Sequence, residues 1–221
     1  MAENMAQLAT SRPVKEVALF ITGPPAAGKT TLRNSLERVL GFSRPPIGID
    51  QVIRALIASG EFTEQDAYID EKGAAILVDP HASSLVASNR LIELWREHPF
   101  ETIIEAPLID TMFEKLCDYS ELAAHTVVIE LHARFEVRVA RNRDRDEERI
   151  GELGMRLMPD TLRPDVDARL TESVAARYRI NGELSKHETL RSVLGLLENH
   201  GILVPAGVSD SPTLEATDAV D

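Results

Sequence analysis

Apolar and polar positions divide the chain into short, wholly apolar runs separated by stretches of helical period. Val17–Thr22 (VALFIT), Thr102–Glu105 (TIIE) and Thr126–Leu131 (TVVIEL) have the length and composition of strands buried on both faces of a parallel sheet. A shorter run, Ile47–Ile49, ends at Asp50. Between the runs, Leu32, Leu36, Val39 and Leu40 fall at helical spacing in Thr30–Leu40, which Gly41 closes. Helical patterns also cover Gln51–Ala58, His81–His98, Asp110–Tyr119, Phe135–Arg149, Asp165–Ile180 and Glu188–His200. In His81–His98 the candidate core residues are Leu85, Leu91, Ile92 and Trp95. Residues 60–80 fit neither period and are expected to form a mobile insert or a helical hairpin, and Ile202–Val204 reads as a weak last strand. Strands alternating with helices predict an α/β fold with a central parallel sheet and helices on both faces. The expected organisation is a flexible leader over 1–15, one domain over 16–205, and a polar, acidic, disordered tail over 206–221.

Composition narrows the function classes. The chain has 221 residues, enough for one full core, and a formal net charge of −12, which argues against a protein that coats nucleic acid. Its single cysteine, Cys117, excludes an intramolecular disulfide and fits a reducing cytoplasm. No apolar run is long enough to span a membrane, and residues 1–15 lack the apolar core of a secretory signal. A soluble cytoplasmic protein is expected, with a small-molecule substrate, no nucleic acid and no membrane partner; nothing in the pattern sets the oligomeric state.

The sharpest chemistry lies where the first apolar run meets the first helix. Gly23-Pro24-Pro25-Ala26-Ala27-Gly28-Lys29-Thr30 satisfies G-x-x-x-x-G-K-[ST]. Glycines let the backbone curl so that its N–H groups, through Ala26 and Ala27, face phosphate oxygens, and the helix adds its positive N-terminal end. Lys29 is a point charge for the β- and γ-phosphates, the Thr30 hydroxyl suits Mg²⁺, and Thr31 lies within reach of an α-phosphate. ATP and Mg²⁺ are the cofactors this pattern implies.

On these residues the chain, over about residues 16–150, resembles the P-loop kinases of small substrates, a superfamily that includes gluconate and shikimate kinases, chloramphenicol phosphotransferase, polynucleotide kinase and the zeta-toxin kinases. The resemblance implies a three-layer P-loop NTPase-type fold and transfer of the γ-phosphate to a small hydroxyl-bearing substrate. In the similar kinases an acidic residue about twenty positions after the lysine accepts the hydroxyl proton or holds Mg²⁺ through water; here that is Asp50. Arg54, one helical turn on, would grip an anionic part of the substrate or the transferred phosphoryl group. The alternative is that Asp50 is a helix cap and Arg54 its solvated partner. Glu105 ends a predicted strand on the edge where such folds bind ligands, and the similar kinases use this position for Mg²⁺ waters or substrate. IIEAPL is similar to the substrate-contacting segment of zeta-toxin kinases but lacks their glycine after Glu. The alternative for Glu105 is an exposed strand-end carboxylate.

The similar kinases also carry a mobile arginine lid, which would lie near residues 138–150. Arg138, Arg141 and Arg145 fall roughly on one helical face there, and Arg141 and Arg145 are the catalytic candidates with Lys29 and Asp50. The alternative is a solvated helix neutralised by Asp144, Asp146, Glu147 and Glu148. The six histidines show no metal-ligand spacing, Cys117 reads as packed, and Arg177 and Tyr178 read as helix-packing residues, with contact to a base or substrate as the alternative. The competing function is a nucleotide-hydrolysing ATPase or regulatory nucleotide-binding protein without a phosphoryl acceptor. A GTPase would add N-K-x-D, which is absent; Asp70–Gly73 matches D-x-x-G, but no strand is expected before it.

Overall fold

A computed structural model describes residues 12–13, 16–71, 75–78, 80–144, 160–199 and 201–203. In chain order these form β1 (Arg12–Pro13), β2 (Ala18–Thr22), α1 (Lys29–Leu40), β3 (Ile47–Gly48), α2 (Ile49–Ser59), β4 (Ala67–Ile69), β5 (Ala75–Leu77), α3 (Pro80–Glu97), β6 (Thr102–Glu105), α4 (Asp110–Asp118), α5 (Ser120–Ala124), β7 (Thr126–His132), α6 (Phe135–Arg143), α7 (Pro164–Ser173), β8 (Ala176–Asn181), α8 (Lys186–Asn199) and β9 (Ile202–Leu203).

The central sheet has five strands in the order β3-β6-β2-β7-β8, and every pairing is parallel. Strand alternation sends side chains to two separate cores. Phe20, Ile104 and Val128 face α2, α3, α4, α5 and α7; Leu19, Ile21, Ile103, Val127, Ile129 and Leu131 face α1 and α8. Phe20 anchors the first core, stacked on Trp95 at 5.6 Å and edge-on to Phe113 at 5.1 Å. The three-layer parallel architecture predicted from the pattern is therefore present.

The structure corrects several expectations. Residues 60–80 hold an antiparallel strand pair, Ala67–Ile69 with Ala75–Leu77, rather than a helical hairpin. A strand therefore does precede Asp70, but it belongs to this pair and not to the central sheet. Leu85 is 40% exposed, because the buried stripe of α3 runs through Ser83, Ala87, Ser88, Leu91, Ile92 and Trp95. The helix expected over Asp165–Ile180 ends at Ser173, and Ala176–Asn181 is the fifth strand of the sheet. Among the described residues Ile202–Leu203 pairs with Arg12–Pro13 alone, outside the main sheet. The expected leader, apart from Arg12–Pro13, and the expected tail over 206–221 lie outside the described residues, as does residue 145 onward in the lid segment.

Candidate active site

β2 ends at Thr22 and the chain turns at once into the loop over 23–28, which opens α1. Gly23 has φ 135° and Gly28 φ 102°, while Ala26 holds φ 60°, a conformation that a residue with a Cβ adopts only where its surroundings impose it. At Gly23 a Cβ would run into the main-chain carbonyl of Leu131 at the end of β7. Ala26 and Ala27 are buried. The Lys29 ammonium donates to the carbonyl oxygens of Gly23 and Pro24, both at 2.9 Å. The lysine therefore folds back over the loop it would share with a polyphosphate. Thr30 and Thr31 are exposed in the first turn of α1.

On one side of the loop lie the ends of β6 and β3. Glu105 is in register with Ile21 of β2 and with Gly48 of β3. Its carboxylate accepts a hydrogen bond from the Thr30 hydroxyl at 2.6 Å through Oε1 and an ion pair from Arg33 Nη1 at 2.8 Å through Oε2. Arg33 is mostly buried and also donates to Asn34 Oδ1 through Nε at 3.1 Å and Nη2 at 3.0 Å. The sequence reading missed Arg33; its place one helical turn after Thr30 was the available signal.

Asp50 is exposed in the first turn of α2, two residues beyond Gly48, which puts it next to the strand end that carries Glu105. It is not the cap. Gly48 holds that position, and its N–H donates to the Gln51 side chain at 3.0 Å. The strand expected to run to Asp50 stops at Gly48, so Asp50 gains the helix's positive end as a neighbour. Arg54 is exposed one turn along α2.

On the other side of the loop lie the ends of β7 and β8. The helix expected over Phe135–Arg149 is described from Phe135 to Arg143. Arg141 Nη1 donates to the carbonyl of Gly182 at 2.6 Å, which brings it to the turn beside the loop over 23–28. Arg138 points away from that role: it is 1% exposed and forms two bonds to Asp160, at 2.7 and 3.0 Å, and a third to the Ala133 carbonyl at 3.2 Å. Arg145 lies outside the described residues. Arg134 clamps Glu183 through its backbone N–H at 2.8 Å and its guanidinium at 2.9–3.1 Å. That clamp holds the Glu183 carboxyl down at about 2. A groove of about 450 Å³ runs along this rim between His132–Arg134 and Arg179–Glu183.

Beneath the rim sits an ionic cluster that sequence reasoning also missed. Glu130 is 1% exposed and in register with Thr22, the last residue before the loop. It pairs with Arg177 at 2.6 Å and His132 at 2.7 Å, and Arg177 reaches Asp167 of α7 at 2.6 Å. Burial opposes ionisation of Glu130, but the close contacts of His132 and Arg177 outweigh it and hold the carboxyl at about 2. Cys117 is packed in the core beside these helices, and burial pushes its thiol up. Among the described residues no cluster of His, Cys, Asp and Glu has the arrangement of a metal site, and no helix is long and apolar enough to cross a membrane.

No protein family and no curated protein matches the sequence. The fold, however, is similar to solved kinases. A shikimate kinase from Acinetobacter baumannii superposes with a TM-score of 0.52 at 15% identity, covering 84% of this chain and 95% of that one. A sugar kinase from Janibacter sp. gives 0.52 at 13% identity, over 88% and 99% of the two chains. A gluconokinase from Sinorhizobium meliloti gives 0.51 at 13%, over 85% and 94%. The five-stranded parallel sheet and the loop at the end of its central strand thus give this chain the fold of the P-loop small-molecule kinases.

Proposed function

We propose that the chain is an ATP-dependent phosphotransferase that moves the γ-phosphate of ATP onto the hydroxyl of a small molecule, with Mg²⁺ as the metal. The observation that carries this reading is the bond from Thr30 to Glu105 beside Lys29, in a loop at the carboxyl edge of the central strand. A hydroxyl that gives its proton to a carboxylate turns its lone pairs outward, and an oxygen-only donor pair of this kind fits Mg²⁺. Thr30 would hold the ion and Glu105 would orient Thr30; Mg²⁺, when bound, would neutralise charge on the β- and γ-phosphates.

The chain's own residues divide the remaining work. Lys29 leaves the carbonyls of Gly23 and Pro24 for the phosphates, a charge-assisted contact that outcompetes neutral acceptors. The acceptor oxygen attacks the γ-phosphorus, the bond to the β-phosphate oxygen breaks, ADP leaves, and the acceptor proton passes to a carboxylate. Glu105 has both oxygens engaged, by Thr30 and Arg33, whereas Asp50 stands exposed in the first turn of α2, beside the end of β3. Asp50 is therefore assigned as the base, with Arg54 for an anionic part of the acceptor. Arg141 serves the nucleotide side.

The test is ATP consumption against pooled hydroxyl-bearing metabolites, with mass detection of a product heavier by one phosphate. A phosphorylated product supports transfer. ATP hydrolysis that no pool accelerates, and that yields only inorganic phosphate, would replace this reading with an ATPase.

A further inference from the structure

We infer that Gly182 is a positioning residue of the nucleotide site, a backbone buttress against which the phosphate loop is set. The inference rests on the reading of Gly23–Thr30 as a phosphate cradle. Gly182 is buried in the turn that follows β8. Its N–H donates to the His132 carbonyl at 2.6 Å and its own carbonyl accepts from Arg141 at 2.6 Å. A Cβ added to it would stand 2.5 Å from the carbonyl oxygen of Ala27 and 3.1 Å from that of His132. Space, rather than a left-handed backbone, is what demands glycine here.

The obstructing atoms are main-chain, so no flexible side chain can swing aside. Ala27 is itself fully buried and follows Ala26, whose φ of 60° already places the loop in a conformation that needs support. On its outer side the same turn is gripped twice by α6 and its cap, through Arg134 on Glu183 and Arg141 on Gly182. The phosphate loop therefore rests on a turn fixed to α6. Misplacement of binding groups by about 1 Å is enough to cost on the order of 100-fold in a reaction that depends on positioning.

The experiment measures binding of MgATP and of inorganic tripolyphosphate by calorimetry to the full chain and to Gly182→Ala, Glu183→Gln and Gly60→Ala. Tripolyphosphate probes the cradle without a base. Gly182→Ala should weaken tripolyphosphate by about tenfold or more, and Glu183→Gln, which loosens the clamp but keeps the turn's shape, by about threefold. Gly60 ends α2 with φ 78° and open space around it. Gly60→Ala should lower the melting temperature through backbone strain yet bind tripolyphosphate like the wild type. Unchanged tripolyphosphate binding in a folded Gly182→Ala overturns the buttress. So does a loss in Gly60→Ala that tracks its melting temperature as closely as that in Gly182→Ala. If Gly182→Ala does not fold, Glu183→Gln decides alone: a threefold loss supports the inference and wild-type affinity overturns it. A wild type that binds neither ligand overturns the cradle itself, an outcome distinct from a wild type that binds both while the variants stay unmoved.

Discussion

Two neighbouring carboxylates differ in their surroundings: Glu105 ends β6, and Asp50 lies exposed in the first turn of α2. Glu105 is committed to Thr30 and Arg33, so Glu105→Gln should raise the Mg²⁺ concentration needed for tight ATP binding, read by nucleotide titration at several metal concentrations. Asp50→Asn should keep MgATP affinity within about threefold and lose on the order of 10²–10⁴ in transfer, the range of a missing general base. Turnover that survives in Asp50→Asn would move the base elsewhere. Lys29→Ala should lose about 10² or more in turnover with an unaltered circular dichroism spectrum. The place of Lys29 and Thr30 at the start of α1 was legible in the sequence because it is set by eight consecutive residues. The Arg33–Glu105 pair was only half legible, because Glu105 could be placed by its strand end while its partner lay 72 positions earlier.

Among the elements, α6 shows how composition misleads. Three arginines on one face suggested one shared task, yet Arg138 is buried on Asp160 while Arg141 reaches the turn beside the loop over 23–28. Arg138→Ala should therefore act on stability, costing about 2–4 kcal/mol in a denaturant titration. Arg141→Ala should leave the melting temperature nearly in place and slow transfer more than it weakens ATP binding. Arg141→Lys should not restore it fully, since an ammonium lacks the planar fork. Equal melting losses for the two alanine variants would erase this distinction. β8 was illegible for a related reason. In Ala176–Asn181 the arginines at 177 and 179 alternate with Tyr178 and Ile180, and the short stretch admitted a helical reading. As a strand it pairs with β7 along Ala176–Asn181 and brings Arg177 onto Glu130, a buried partner that no local pattern announces.

For the molecule as a whole, the Glu130 cluster ties acid stability to the layer that carries α7. The Glu130 carboxyl titrates at about 2 in the folded chain, below its ordinary value of 4.5. Its contribution is therefore complete above about pH 4.5 and is lost as pH falls toward 2. Glu130→Gln should cost on the order of 3 kcal/mol at pH 7, in urea melts, and the gap to wild type should close across that acid window. A gap that stays constant from pH 7 to pH 3 would mean that the ion pair contributes little. The three-layer architecture itself was legible from the apolar runs, because strands buried on both faces leave few polar positions; the charged strand at one edge of the sheet was not.

The place of β2 at the centre of the sheet has a consequence for how the chain is made. Its neighbours are β6, beginning at Thr102, and β7, ending at His132. The strand that leads into the loop over 23–28 emerges from the ribosome ahead of both neighbours, and some eighty residues must follow before its first partner exists. Until then an apolar ribbon with two open edges waits in the nascent chain, the kind of segment that chaperones shield and that aggregates when it is not shielded. Synthesis halted near residue 100 should leave an insoluble product, and release beyond β8 should mark the onset of protease resistance.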